Sequence, residues 1–294
     1  MPADTSATMP YPITRFSQAS LQDYLDCRRR FYLRYRLRLV WPALEAEPVE
    51  AFERETALGA AFHRLVQQHL VGVPAELLTA RIADADLAAW WQAYLDFVRP
   101  DLSGIRPGAD ARLYPEFGLS APLAGVRLVA QYDLVVVAPT GQATIYDWKT
   151  SRRLPQRQRL AARMQTRVYR SLLAMAGSSL NGGAPFPPEA ITMIYWFPGF
   201  PAAGARFNYD NAQASRDRQA LESLMAEAQA LEEKEAFLTD DERRCRFCNY
   251  RSLCNRGVQA GTMDEEDESL ETEDSSTDED EVDLDFDQIT EISL

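Results

Sequence analysis

Asp133, Asp147 and Lys149 are the residues of this chain best suited to chemistry. They lie on two apolar runs, LVAQYDLVVV (128–137) and ATIYDWK (143–149), separated by APTGQ. The runs are rich in Val, Leu and other β-prone residues, and Pro139 and Gly141 mark the turn, so two paired strands are predicted. Strand alternation puts Asp147 and Lys149 on one face, with Tyr146 and Trp148 on the other. Asp133 then falls near Asp147 across the hairpin. Two carboxylates beside an ammonium suit a hard cation such as Mg²⁺ or Mn²⁺, with the lysine holding an attacking water or a developing negative charge.

A second set of chemistry-bearing residues is the cysteines. Cys245, Cys248 and Cys254 lie within ten residues, and Cys27 stands more than two hundred residues earlier. Closely spaced thiols in a chain expected to be non-secreted point to metal binding rather than disulfides. Four thiolates suit either a tetrahedral zinc or an iron–sulfur cluster. The three-plus-one arrangement favours [4Fe–4S], with zinc as the lesser alternative. Closing so long a loop with a covalent link is worth roughly 5 kcal/mol in chain entropy, so the expected role is a clasp between the first helix and the end of the domain.

The elements that must position these groups follow from periodicity. Residues 21–39 predict an N-terminal helix, capped by Ser17 or Ser20, with tyrosines and arginines interleaved as on a helix that lies along a phosphate backbone. An ordinary amphipathic helix with a solvated arginine face fits the same pattern. A helix over 53–70 carries Gly59, Ala60 and Ala61, small enough for close packing, and then His63. A lone helical histidine is ordinarily structural. A third helix over 84–98 brings Trp90, Trp91 and Phe97, expected in the core. Residues 112–119 read as a strand bearing Glu116, a further carboxylate candidate. Beyond Lys149, a helix over 156–176 sets Gln165 and Tyr169 on one face, with Arg159, Arg163 and Arg170 on adjacent faces for phosphates. A strand over 191–197, a return strand within 198–209 and a helix over 213–235 complete the body.

The formal charge of −13 would argue against nucleic acid if it were evenly spread. It is concentrated in residues 264–294, which hold sixteen acidic residues and no Lys or Arg, leaving the remainder at +3. That stretch is too charged to pack and is expected to be a disordered tail over 259–294. Its last residues, LDFDQITEISL, alternate apolar with acidic in a way that fits docking on a partner or competing with DNA; a purely solubilising tail is the plainer reading. No run approaches the 18 or so apolar residues of a membrane span, and no secretory layout opens the chain, so the expectation is a cytoplasmic protein. Residues 1–14 are expected to be a flexible terminus and 15–258 one folded domain. No nucleotide-binding G-x-x-x-x-G-K-[ST] occurs.

In this order the motifs resemble the PD-(D/E)XK nuclease superfamily, in the RecB-like branch that includes AddB-like and CRISPR-associated exonucleases with an iron–sulfur clasp. The opening run from Ser20-Leu21 to Cys27 and Arg30-Phe31-Tyr32, Gly59 to His63, Asp133, Asp147-Trp148-Lys149, Gln165 with Tyr169, and Cys245, Cys248 and Cys254 carry the resemblance. It implies an α/β fold with a restriction-endonuclease-like core, a mixed central sheet flanked by helices. It also implies His63, Asp133, Asp147 and the Trp148 carbonyl as ligands of Mn²⁺ or Mg²⁺, and Lys149, Gln165 and Tyr169 as further catalytic residues. Gln165 and Tyr169 would orient the scissile phosphate or Lys149, and Glu116 is a candidate for a second metal. The implied activity is a metal-dependent DNA exonuclease preferring single strands, in repair, recombination or CRISPR-related processing. The alternative is an accessory DNA-binding subunit beside a helicase. Ala130 and Arg28 depart from the usual glycine and proline at positions that supply no functional group.

Overall fold

The computed structural model describes residues 10–40, 49–99, 102, 104–106, 108, 110–246 and 248–257. The acidic stretch 264–294 lies outside the described residues.

Six strands form one mixed sheet. β2 (Arg112–Leu123) and β3 (Val126–Val137) make a long antiparallel hairpin. Its two-residue turn is Ala124-Gly125, both at positive φ (+48° and +81°), the backbone that twists in step with its strands. The other edge of β3 is shared. β1 (Arg15–Phe16) runs parallel to its start, and β4 (Ala143–Trp148) antiparallel to its end. β5 (Ile191–Trp196) is parallel to β4, and β6 (Ala205–Asn208) closes the sheet antiparallel to β5.

Each face of the sheet carries its own core. On one, Leu21, Tyr24 and Phe31 from the N-terminal helices and Val168, Leu172 and Leu221 from the later ones cover Val135, Ile145 and Tyr195. On the other, Phe62, Trp91 and Tyr94 cover Tyr146, Trp148 and Trp196. The helices are α1 (Gln18–Asp26), α2 (Arg28–Phe31), α3 (Val49–Leu70), α4 (Ala75–Thr79), α5 (Ala85–Val98), α6 (Arg157–Ala162), α7 (Met164–Ala176) and α8 (Asn211–Ala230).

Three helices are divided or end sooner than expected, and α3 starts four residues earlier, at Val49. The N-terminal helix breaks at Cys27, whose backbone is extended (φ −161°, ψ 108°) and whose Sγ accepts the Arg30 N–H to start α2. A five-residue π turn over Tyr32–Arg36 follows. The helix after the hairpin divides at Arg163 (φ −60°, ψ 141°) into α6 and α7. α8 stops at Ala230, since Leu231 turns inward and is buried. In the first two cases the apolar rows resume past a one-residue break, so periodicity does not register it.

The aromatic side chains of the first helix are mostly internal, whereas its arginines are half-buried or exposed. Tyr24, Phe31 and Tyr32 are buried, and Arg30 is held at 2.6 Å from Asp23 and 2.9 Å from Asp26. Direct protein contacts dock the C-terminal segment against these elements. Asp26 pairs with Arg244, the Arg29 N–H donates to the Phe237 carbonyl at 3.1 Å, and the Tyr250 hydroxyl donates to the Leu39 carbonyl at 2.8 Å. The Tyr11 N–H, just before β1, donates to the Arg36 carbonyl at 2.7 Å, and residues 1–9 of the expected flexible terminus lie outside the described residues.

Candidate active site

Along β2 and β3 the inward–outward alternation slips by one at a single pair. Leu128, Ala130 and Tyr132 face the α7 side, yet so do Val135 and Val137, while Leu134 and Val136 face the α3 side. β2 slips in step, with Leu119 and Phe117 on the α7 side, then Tyr114, and Leu113 opposite. The slip falls at Glu116 and Asp133, which stand opposite each other between the pairs Pro115–Leu134 and Phe117–Tyr132. Glu116 has φ +47°, left-handed backbone that costs a non-glycine residue on the order of 1–2 kcal/mol. The distortion keeps both carboxylates out of either core and sets them side by side.

The β3–β4 ladder ends at Leu134–Tyr146, and Asp133 and Asp147 are the next residue of each strand. The Trp148 N–H donates to Asp133 Oδ2 at 2.7 Å, while the Trp148 indole is buried in the α3-side core. His63 comes from α3, with Nδ1 3.5 Å from Asp133 Oδ1. Gly59, one turn earlier, makes that approach feasible: a Cβ there would sit 3.0 Å from Thr150 Oγ1, beside Lys149. His63, Glu116 and Asp133 each bring one ligand atom within 4.8 Å of the others. The other histidine, His69, bonds the Tyr94 hydroxyl at 3.1 Å in the aromatic core and belongs to packing.

Asp147 lies deeper, 1% exposed. Lys149 Nζ is 3.0 Å from its Oδ2, and Gln165 Nε2 donates to its Oδ1 at 2.7 Å. Gln165 is oriented in turn by Tyr195, whose hydroxyl donates to Oε1 at 3.4 Å and meets Thr166 Oγ1 at 2.7 Å. Tyr169 is buried behind this group, and the Tyr132 hydroxyl donates to its carbonyl at 2.9 Å. Burial, with the negative charges of Asp147 and Asp133, holds the Tyr169 phenol well above its ordinary range and therefore neutral. Gln165 and Tyr169 thus stand against Asp147, on its solvent-shielded side. Tyr195 and Thr166 carry no sequence signal for this part; register alone places Tyr195 beside Asp147.

Arg170 does not line a phosphate surface. It is 2% exposed, donates to the Thr166 and Asn208 carbonyls at 2.8 and 2.9 Å, and faces Asp217. Its position on the α8 side of α7 ties those elements together. Arg153 is exposed and Arg159 and Arg163 half-buried, and exposed Arg152 pairs with Glu55 of α3.

The electrostatics mark the carboxylate pair. Burial first, then the charge of Asp133, pushes Glu116 up to about 7, against the opposing pull of Gln131 and His63. In the metal-free protein this raised value contributes stability that is full below the ordinary carboxylate value of 4.5 and lost as pH rises through about 7. A cation bound by Glu116 must displace that proton. Mn²⁺ affinity is therefore expected to climb roughly tenfold per pH unit below 7 and level off above it. Calorimetry at pH 6, 7 and 8 checks this, and Glu116→Gln should flatten the dependence.

The four cysteines lie within one another's electrostatic reach. Burial raises Cys245 to about 11, helped by Cys248, Cys27 and Cys254. Cys248 and Cys254 are raised too, by burial first, and Cys27 acts on both.

Residues 15–255 match the PD-(D/E)XK nuclease superfamily, and the chain belongs to that superfamily. The mixed sheet between helical layers is consistent with its restriction-endonuclease-like fold. No curated protein matches the chain. Among solved structures, "Crystal structure of SSO0001" is similar at 13% identity and a TM-score of 0.38, over 83% of this chain and 87% of that one. No helix among the described residues is long and apolar enough to cross a membrane.

Proposed function

We propose that the chain is a divalent-metal-dependent deoxyribonuclease of the RecB-like branch that degrades single-stranded DNA from an end. The observation that supports this is the convergence of His63, Glu116 and Asp133 within 4.8 Å, beside the Asp147–Lys149 pair at 3.0 Å. One imidazole and two carboxylates, one of them with raised proton affinity, form a donor set that fits Mg²⁺ or Mn²⁺. His63, Glu116 and Asp133 would hold the ion, with Asp147 and the Trp148 carbonyl completing the set. When bound, it would supply Lewis acidity toward the scissile phosphate and lower the pKa of water.

The chain's own groups do the rest. A water oxygen bonds to phosphorus, one P–O ester bond breaks, and the departing oxygen takes a proton. Lys149 holds the water or meets the negative charge that builds on the phosphate oxygens. Gln165 fixes the direction of the Asp147 carboxylate, and neutral Tyr169 closes the site from behind. Arg153, Arg159 and Arg163 hold neighbouring phosphates.

Cys27, Cys245, Cys248 and Cys254 are proposed to carry a [4Fe–4S] cluster. Their mutual influence supports a common site. Their three-plus-one spacing along the chain favours the cluster over a single zinc.

The test is an assay of anaerobically purified protein on single- and double-stranded DNA labelled at either end. Mn²⁺-dependent release of short products from single strands, stopped by EDTA, is expected. DNA binding without any metal-dependent cleavage would replace the reading with an accessory role.

A further inference from the structure

The residue before α7, Arg163, gives the helix no side-chain cap. The acceptor comes from α1. Gln22 Oε1 accepts the Met164 N–H at 3.3 Å. The same amide donates through Nε2 to Asp26 Oδ1 at 2.9 Å. Asp26, the residue before Cys27, also holds Arg30 at 2.9 Å and pairs with Arg244, the residue before Cys245. Gln165, which follows Met164, donates to Asp147 at 2.7 Å. One side chain thus joins the cysteine-bearing end of the molecule to the turn that aims Gln165.

We propose that Gln22 is a positioning residue of the nuclease centre. By capping α7 it ties Gln165, and so the direction of the Asp147 carboxylate, to the ionic network beside Cys27 and Cys245. The inference rests on the nuclease reading for its kinetic consequence alone. A lost helix cap loosens the first turn by a few-fold, and small displacements of positioned groups cost rate disproportionately.

The test compares Gln22→Leu with Gln22→Glu in the full chain purified with its metal complement. Glutamate keeps an oxygen for the Met164 N–H but has no donor for Asp26. The readouts are hydrogen exchange of amides 164–169, thermal unfolding, and kcat and KM for Mn²⁺-dependent cleavage. Gln22→Leu is expected to speed exchange in that turn about fivefold. It should also lower kcat about tenfold, with KM and unfolding near the parent. Gln22→Glu, which keeps the acceptor for Met164 but loses the bond to Asp26, should fall between the parent and Gln22→Leu in both. An unchanged kcat in Gln22→Leu overturns the proposal, as does a loss spread evenly over exchange in the whole protein, or a Glu variant as impaired as Leu. If the parent shows no cleavage, the nuclease reading fails, and the exchange comparison still decides whether Gln22 caps α7.

Discussion

Lys149→Ala is expected to lower Mn²⁺-dependent cleavage of single-stranded DNA by on the order of 10³-fold. If, as proposed, the ammonium meets charge that develops only in the transition state, the loss should fall on kcat. Lys149 is 7% exposed, with Nζ 3.0 Å from Asp147 Oδ2. Removing the amine also deprives a 1% exposed carboxylate of its cation, which destabilises a buried pair by about 3 kcal/mol or more. A melting curve must therefore accompany the kinetics. Asp147→Ala should cost a similar factor, and the two losses should not add, since the residues act as one unit. Full activity in either folded variant removes both from the mechanism.

Much of that arrangement was legible in the chain. Period-two alternation placed Asp147 and Lys149 together, away from Tyr146 and Trp148, and the turn chemistry of Pro139 and Gly141 brought Asp133 near Asp147. The slip at Glu116 and Asp133 was not legible. LVAQYDLVVV is apolar enough for a strand covered on both faces, so a one-residue change of phase leaves no mark. A positive φ at a glutamate has no residue signature either, unlike the Ala124-Gly125 turn. As a result Glu116 stands with His63 and Asp133, while Asp147 lies deeper with Lys149 and Gln165.

Distant partners decided what local pattern left open. Arg163 and Arg170 read alike on a helical wheel, but Arg170 faces Asp217, 47 positions later in the chain. Asp23 and Asp26 are 4% and 9% exposed and hold Arg30, Arg34 and Arg244. Buried acids of this kind are costly unless paired. The pairing here crosses from one end of the chain to the other.

That crossing sets the second large expectation, for Cys27→Ala. If the four thiols hold a common cluster, losing one ligand should abolish its visible absorption and remove a tie across more than two hundred residues. The covalent limit for such a tie is about 5 kcal/mol, and a fall in melting temperature on the order of 10 °C follows for a domain of this size. The fall should stop short of unfolding. The Asp26–Arg244 pair, the Arg29–Phe237 backbone bond and the Tyr250–Leu39 bond span the same junction without the thiols. Asp26→Asn in the Cys27→Ala background should therefore cost more than either change alone predicts, because two parallel ties are then lost together. Absorption and thermal unfolding measured on the single and double variants decide it. Unchanged values for Cys27→Ala would show that the thiols do not share a cluster, and simple additivity would show that the ionic contacts do not back it up.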